Sequence, residues 1–195
     1  MPGARLQLRH HSPMELLVST ILSAQCTDVR VNQVTPALFA RYRTPADFAA
    51  AAVPELEDLI RPCGLFRAKA RAIVSSARHL VERHGGKVPS SRALLEELPG
   101  VGHKTAGVVS MHLAGGDPAL PVDTHVGRVS RRLGFTRETD PDLVERDLCE
   151  LLPTSSWVKT HHLLIWHGRR TCSARSPACD RCPLAKRCPR IGVGG

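Results

Sequence analysis

The stretch LPGVGHKTA, Leu98–Ala106, places two glycines and a proline between two segments that have helical patterns. SRALLEEL before it is rich in helix formers, and HKTAGVVSMHL after it repeats apolar residues at helical spacing. Because glycines follow a tight turn most easily, we predict a hairpin between two helices. Gly100 and Gly102 would let backbone N–H groups point outward at the start of the second helix, where the helix dipole attracts a phosphate. The alternative is an ordinary packing loop, but the Leu-Pro-Gly-Val-Gly spacing in a basic chain favours a phosphate site.

Lys104 follows this turn in a chain that has only five lysines among its 27 Lys and Arg residues. At a helix N-terminus the positive end of the dipole disfavours an added positive charge, so this amine should be neutral part of the time. A neutral amine beside a sugar-phosphate is a nucleophile that can form a Schiff base at a sugar carbon, which arginine cannot do. A lysine that only contacts phosphate explains this segment equally well.

Asp123 stands directly before a predicted helix in VDTHVGRVSRRLG, Val122–Gly134. As the N-cap it would accept backbone hydrogen bonds that keep it ionised. An ionised carboxylate can also stabilise a cationic sugar intermediate and take a proton from a lysine nucleophile. Because capping and catalysis are compatible, Asp123 is the second candidate catalytic residue.

Four cysteines crowd the C-terminal tail in the spacing C-x6-C-x2-C-x5-C, from Cys172 through Cys179 and Cys182 to Cys188. Four thiolates this close in sequence can enclose one metal centre. Zinc sites usually combine two short Cys or His pairs, whereas this tail has one such pair flanked by unequal loops. The spacing therefore favours a [4Fe–4S] cluster, with zinc as the open alternative. The same tail is rich in arginine, which suits DNA phosphates.

The composition of the 195 residues indicates a protein that binds a polyanion. The formal net charge is +9 and the isoelectric point is about 9.7, although charge alone does not separate nucleic acid from an anionic membrane. No apolar run reaches membrane-spanning length, and the N-terminus MPGARLQLRHHSP lacks the apolar core of a signal peptide. We therefore expect no membrane partner and a cytoplasmic location.

Helical signals continue along most of the chain. Ser12–Glu15 and Thr44–Asp47 resemble capping boxes with proline at the first helical position, and the amphipathic run after Phe66 stops at Gly85. Asp140 opens a further helix that carries Leu143, Val144, Leu148 and Leu151 on one side. No segment alternates apolar and polar residues long enough to predict a sheet. The fold class is therefore all-α with two helical lobes, and AGGDPALP, 114–121, is the best internal boundary.

These motifs together resemble the endonuclease III family, bifunctional DNA glycosylases and abasic-site lyases of the helix-hairpin-helix superfamily. The resemblance rests on five segments in the same order: LSAQCTD (Leu22–Asp28), LPGVGHKTA, VDTHVGRV, HHLLIWHGR (His161–Arg169) and the cysteine tail. It implies a six-helix lobe with the hairpin over residues 12–117, and a [4Fe–4S] lobe over residues 1–11 and 118–195. It also implies a DNA-binding cleft between the lobes, and a cluster of iron and sulfur instead of zinc.

The resemblance also assigns roles to individual residues. Lys104 matches the catalytic lysine, Asp123 the catalytic aspartate, and Gly100 and Gly102 the phosphate-binding turn. Gln25 matches the residue that fills the space left by a flipped nucleotide, and the residue matching the loop that wedges into the opposite strand is Leu65. The implied partner is double-stranded DNA that contains oxidised pyrimidines or abasic sites. The implied enzyme is a monomer at the bacterial nucleoid that excises the base and cuts the strand by β-elimination.

Some positions depart from the family pattern, and two other readings compete with this one. His103, Gly107 and Gly127 stand where an arginine, a larger polar residue and an aromatic residue are common. One competing reading is an adenine-excising relative, which typically lacks the lysine and carries an extra C-terminal domain. The other is a non-catalytic, redox-sensing DNA-binding module, which would need neither Lys104 nor Asp123.

Overall fold

The computed structural model describes residues 4–193. Its backbone contacts divide the chain into two compact units. One is Gln7–Asp117, and the other consists of the described residues of Met1–Leu6 and Pro118–Gly195. The predicted lobe boundaries of residues 12–117 and of residues 1–11 with 118–195 remain a prediction, and residues 1–3 and 194–195 lie outside the described residues. No strand occurs within residues 4–193, so the all-α prediction is confirmed.

The Gln7–Asp117 unit contains seven α-helices among its described residues, where the resemblance implied six. Two of them are short, α3 with six residues and α6 with five. The helices are α1 Pro13–Ser23, α2 Asp28–Arg41, α3 Pro45–Ala50, α4 Val53–Ile60, α5 Phe66–His84, α6 Arg92–Glu96 and α7 His103–Ser110, with a 3-10 turn at Arg61–Cys63 between α4 and α5.

Helix α1 lies in the core of this unit, where it packs against α2, α5 and α7. Its residues Leu16, Leu17 and Val18 are fully buried although they are consecutive, so the helix is covered on most sides. The long helix α5 packs against α3 and α4 and contributes buried residues such as Ile73 and Leu80. The core therefore fixes the ends of α1, α5 and α7, from which the candidate site residues project.

The local end signals of these helices act largely as predicted. Thr44 and Asp47 form a complete capping box at α3. At α1, Ser12 accepts from the backbone N–H of Glu15, but the Glu15 carboxylate accepts from His11 at 2.6 Å instead of closing the box on Ser12. Helix α5 ends at His84, and Gly85 follows it in a left-handed conformation.

The second unit contains three α-helices among its described residues: α8 Thr124–Leu133, α9 Pro141–Leu151 and α10 Trp157–Arg170. Its core contains Val126 and Val129 of α8, Val144 and Leu148 of α9, and Leu164 of α10. Helices α8 and α10 approach closely at Gly168, where an added Cβ would lie 3.0 Å from His125 Cβ and 3.1 Å from Val129 Cγ2. A larger residue at this position would force the two helices apart.

One expectation for α9 is wrong. Of the four predicted residues, Val144 and Leu148 are buried in the core, whereas Leu143 is 37% exposed and Leu151 is 55% exposed. Leu143 lies about 100° around the helix from Val144 and about 140° from Leu148, on the exposed side of α9. Leu151 is the last residue of the helix.

Candidate active site

The predicted hairpin is present, and its first glycine is required by close packing. The backbone N–H of Val101 donates to the Leu98 carbonyl at 3.0 Å, which closes the turn. Gly100 has a φ of +81°, and a Cβ at this position would lie 2.5 Å from Cβ of Ala72 on α5. Ser76, also on α5, donates its hydroxyl to the Pro99 carbonyl at 2.7 Å. The turn is therefore held against α5 at a separation that only glycine permits.

The second glycine has a different role because nothing crowds it. Gly102 is the N-cap of α7 with a φ of −86°, and an added Cβ would meet no atom within 4 Å. Having no side chain, it contributes no cap to the amides of the first turn of α7. Exposed amides at a helix N-terminus attract an anion through their hydrogens and the helix dipole. The site is therefore chemically suited to a phosphate.

Lys104 is exposed on the first turn of α7, beside this amide group. Its neighbour His103 is tied back to α6, where its Nδ1 contacts Glu96 Oε1 at 2.7 Å and its Nε2 contacts the Arg92 guanidinium. A guanidinium can only donate, so Nε2 is the acceptor in this contact and Nδ1 is the ring nitrogen that faces the carboxylate. His103 thus links α6 and α7 across the turn, whereas the Lys104 side chain is exposed.

Asp123 is the N-cap of α8, as predicted. Its Oδ1 accepts from the backbone N–H groups of His125 and Val126, both at 2.8 Å. The carboxylate is half-buried, and the cap uses one of its two oxygens in these bonds. The geometry satisfies the capping role and leaves Oδ2 for a further acceptor role. Lys104 belongs to the Gln7–Asp117 unit and Asp123 to the other unit.

Gln25 and Leu65 share an unusual backbone conformation. Three non-glycine residues within residues 4–193 have a positive φ: Gln25 at +52°, Leu65 at +48° and Arg190. The left-handed conformation costs an L-residue about 1–2 kcal/mol. Both side chains are exposed, and Leu65 has 58% of its surface accessible, which is high for a leucine. Strained, exposed residues of this kind concentrate at functional sites.

The four tail cysteines are each half-buried, and three of their sulfurs have polar contacts. Arg132 donates to Cys172 Sγ at 3.3 Å, the backbone N–H of Leu184 donates to Cys182 Sγ at 3.4 Å, and Cys188 Sγ contacts the Arg132 carbonyl at 3.4 Å. Hydrogen bonds from N–H groups to cysteine sulfur are typical around iron–sulfur clusters. The donor set is therefore suited to a cluster.

Within residues 4–193, no group of three or more His, Cys, Asp or Glu side chains is arranged to hold a metal ion. A [4Fe–4S] cluster needs a different arrangement, since each of its four thiolates binds a separate iron. The chemistry of the tail fits this cofactor, because four cysteines of matching spacing lie in a segment that has no helix beyond Arg170.

The tail is basic and is attached to α8 by Arg132. This arginine is 8% exposed and donates to the carbonyls of Ser173 at 2.7 Å and Ala174 at 2.8 Å. The tail and the end of α10 carry exposed cationic residues with one acidic residue, Asp180, among them. They are Arg169, Arg170, Arg175, Arg181, Lys186, Arg187 and Arg190.

Sequence reasoning missed two buried basic residues, Lys69 and Arg132. Lys69 is 5% exposed and lies on the same face of α5 as Ile73 and Leu80. The signal was available, because a lysine at helical spacing with buried apolar residues must satisfy its charge inside the protein. Arg132 had no comparable signal, since its partners are carbonyls about forty residues further along the chain.

Comparison with known protein families identifies the class of protein to which this chain belongs. Residues 18–154 match the HhH-GPD superfamily of base excision DNA repair proteins. Residues 172–188, the span from Cys172 to Cys188, match the iron–sulfur binding domain of endonuclease III. No helix in the described part of the chain is long and apolar enough to cross a membrane.

Individual relatives agree with this class. Endonuclease III of Synechocystis sp. is 49% identical over 96% of this chain and 86% of that protein, and endonuclease III of Bacillus subtilis is 48% identical over 96% and 85%. A trapped covalent intermediate of an endonuclease III with DNA superposes with a TM-score of 0.91 at 49% identity. It covers 97% of this chain and 89% of that one.

The chain belongs to the endonuclease III family. It is a base excision repair enzyme, a DNA glycosylase and abasic-site lyase, whose cofactor is a [4Fe–4S] cluster. The prediction of iron and sulfur over zinc is thus confirmed, and DNA is the partner. The reading as a non-catalytic DNA-binding module is set aside.

Proposed function

We propose that this enzyme excises oxidised pyrimidines from duplex DNA and that Lys104 is the nucleophile for both of its steps. The observation that carries this proposal is the position of Lys104, an exposed amine on the first turn of α7, two residues after the N-cap Gly102, which supplies no side-chain cap. A phosphate bound at those amides brings the adjoining deoxyribose to the lysine. If Lys104 did no more than contact phosphate, the lyase activity of the family would have no nucleophile here.

The reaction follows from the chemistry of an amine and a carboxylate. The lone pair of Lys104 Nζ attacks C1′, the bond from C1′ to the base breaks, and the leaving base takes up a proton. Opening of the sugar ring, in which O4′ takes up a proton, then gives a protonated Schiff base at C1′. Loss of a C2′ proton breaks the bond between C3′ and its oxygen, so the phosphate on the 3′ side leaves as the 5′-phosphate end of the downstream strand. Water then hydrolyses the Schiff base to restore the lysine.

Asp123 is assigned two tasks in this sequence. While ionised, its carboxylate stabilises the positive charge that develops on the sugar as the base leaves, and it then takes the proton that the lysine loses on attack. The cap on α8 supports this assignment, because two backbone N–H groups hold Oδ1 in place. The proposal requires that one sugar of the bound DNA reaches both Lys104 and Asp123.

Gln25 and Leu65 fill the duplex when the damaged nucleotide leaves it. Their exposure supports this role, as does the left-handed backbone that projects them. Unstacking a base costs a few kcal/mol, and the cost is lowest at a damaged site. Side chains that occupy the vacated space therefore favour damaged over intact DNA.

Cys172, Cys179, Cys182 and Cys188 would hold the cluster through their thiolates. When bound, it cross-links a tail that has little apolar core of its own, so that the surrounding arginines present a basic surface to DNA. We further propose that the enzyme acts as a monomer in the bacterial cytoplasm, at the nucleoid.

Product analysis tests this function. Duplexes that contain one oxidised thymine, one oxidised guanine or one abasic site are incubated with the wild type, Lys104→Ala and the surface control Lys87→Ala. We expect strand cleavage without alkali at the oxidised thymine and at the abasic site, and none at the oxidised guanine. Lys104→Ala should lose this cleavage while Lys87→Ala retains it. Cleavage at the oxidised thymine only after alkali would show that the enzyme lacks the lyase step. Preference for the oxidised guanine would overturn the proposed substrate class.

A further inference from the structure

Lys69 is a buried cation that the proposed chemistry does not use. Its Nζ donates to the carbonyl of Leu22 at 2.8 Å and to the carbonyl of Cys63 at 2.9 Å. Leu22 lies in the last turn of α1, and Cys63 is the last residue of the 3-10 turn before α5. Carbonyls at the end of a helix have no partner within the helix and carry the negative end of its dipole. One ammonium group therefore satisfies two helix ends at once.

The two segments that Lys69 joins are the ones that lead to the strained, exposed residues. Gln25 follows Leu22 by three residues, and Leu65 follows Cys63 by two. Both have the left-handed backbone conformation. Such conformations persist only where the surrounding structure imposes them. The ammonium binds the carbonyl three residues before Gln25 and the carbonyl two residues before Leu65, and all of these residues belong to the Gln7–Asp117 unit.

Packing alone does not explain a lysine at this position. Burial lowers the pKa of Lys69, while the nearby thiols of Cys26 and Cys63 act in the opposite direction. A buried cation is costly, and an apolar residue of the same length is often as stable or more stable. The tetrahedral ammonium can direct separate donors at two carbonyls, which an apolar chain cannot do. Its benefit is therefore geometrical.

We propose that Lys69 is a positioning residue that holds the Gln25 segment and the Leu65 segment at one separation, so that both side chains enter the same damaged step of the duplex. The inference rests on the proposed roles of Gln25 and Leu65. In this proposal the buried amine supports the selectivity for damaged over intact DNA without contacting the DNA itself.

The test compares affinities for a duplex with a stable abasic analogue and for the intact duplex at one salt concentration. Lys69→Met removes the ammonium and keeps the length of the chain, and Lys87→Met is the control for loss of one exposed positive charge. We expect the ratio of the two affinities to fall about tenfold in Lys69→Met, as for loss of a charged hydrogen bond. It should stay unchanged in Lys87→Met, and affinity for intact duplex should change equally in both variants.

A double-mutant cycle separates positioning from general damage to the fold. In a Gln25→Ala, Leu65→Ala background the ratio is already low, so Lys69→Met should lower it no further. If that background itself leaves the ratio unchanged, the proposed roles of Gln25 and Leu65 fail. A lowered ratio in that background together with an unchanged ratio in Lys69→Met would overturn the role of Lys69 alone.

Stability provides the remaining outcome. Lys69→Gln is a second variant, which is shorter and retains an amide donor, and its affinity ratio should lie between those of the wild type and Lys69→Met. Melting temperatures of both variants are compared with that of the core truncation Ile73→Ala. A loss as large as that of Ile73→Ala in both Lys69 variants would make Lys69 a core residue and overturn the proposal.

Discussion

Replacing Gly100 by alanine should destabilise the hairpin for two separable reasons. The φ of +81° is a left-handed conformation, which costs an L-residue about 1–2 kcal/mol. The added Cβ would stand 2.5 Å from Cβ of Ala72, roughly 1 Å inside normal carbon contact, and such overpacking costs about 1–3 kcal/mol. Loss of glycine's freedom in the unfolded chain returns about 0.4–1 kcal/mol. The net loss should be about 2–4 kcal/mol.

Thermal and urea unfolding followed by circular dichroism measure this loss. For a chain of this size we expect the melting temperature to fall by about 5–15 °C. The matched control is Gly102→Ala, since φ there is −86° and no atom lies within 4 Å of the added Cβ. That variant should keep its stability and lose affinity for DNA, because its methyl group stands beside the amides that bind phosphate.

The clash itself is tested by adding Ala72→Gly, which removes the atom that Gly100→Ala would meet. The combined variant should recover about 1–3 kcal/mol relative to the sum of the two single losses. Losses that add within about 0.5 kcal/mol would show that the turn is not packed on α5 as described. A stable Gly100→Ala variant would refute the strain argument as well.

Three further predictions address the carboxylate, the tail and a half-buried histidine. Asp123→Asn retains an N-cap acceptor but removes the charge, so turnover should fall about 10²-fold or more while the melting temperature barely changes; activity that falls only in step with stability would reduce Asp123 to a cap. Purified wild type should contain about four irons per chain and little zinc, and Cys182→Ser should lose iron and solubility together; a soluble variant with full iron content would exclude Cys182 as a ligand. Burial lowers the pKa of His112 in the folded protein. As the pH falls, this histidine is therefore protonated in the unfolded chain before it is protonated in the folded protein. The contribution of His112 to the free energy of unfolding is present above about pH 6.5 and is lost as the pH falls through the folded pKa. His112→Gln should therefore flatten the acid side of the stability profile, and an identical profile would contradict this.

Features set by neighbours in sequence could be predicted. The capping box at Thr44, the stop at Gly85 and the N-cap at Asp123 each depend on a few adjacent residues, and all three are present. The hairpin glycines were identified for the same reason. The sequence could not show that Gly100 is required by packing and Gly102 is not, because this difference depends on Ala72 of α5 lying against Gly100 and not against Gly102.

Features set by tertiary packing could not be predicted. Leu143 and Leu151 have apolar side chains at helical spacing, but the sequence does not reveal where the partner helices end. The helical spacing of Lys69 indicates its burial, but its partners, carbonyls 47 and 6 residues away, are backbone atoms that have no sequence signature. The left-handed conformation of Gln25 likewise has no signal in the local sequence, since no glycine marks that turn.

The nucleophile is the centre of this account, and covalent trapping identifies it directly. Borohydride reduces the Schiff base between enzyme and abasic DNA to a stable bond, and mass spectrometry of the digested adduct locates the modified residue. We predict that the DNA is attached to Lys104 and that Lys104→Ala forms no adduct while still binding the duplex. Attachment to another of the five lysines or to the N-terminal amine, or an adduct formed at full yield by Lys104→Ala, would contradict the mechanism.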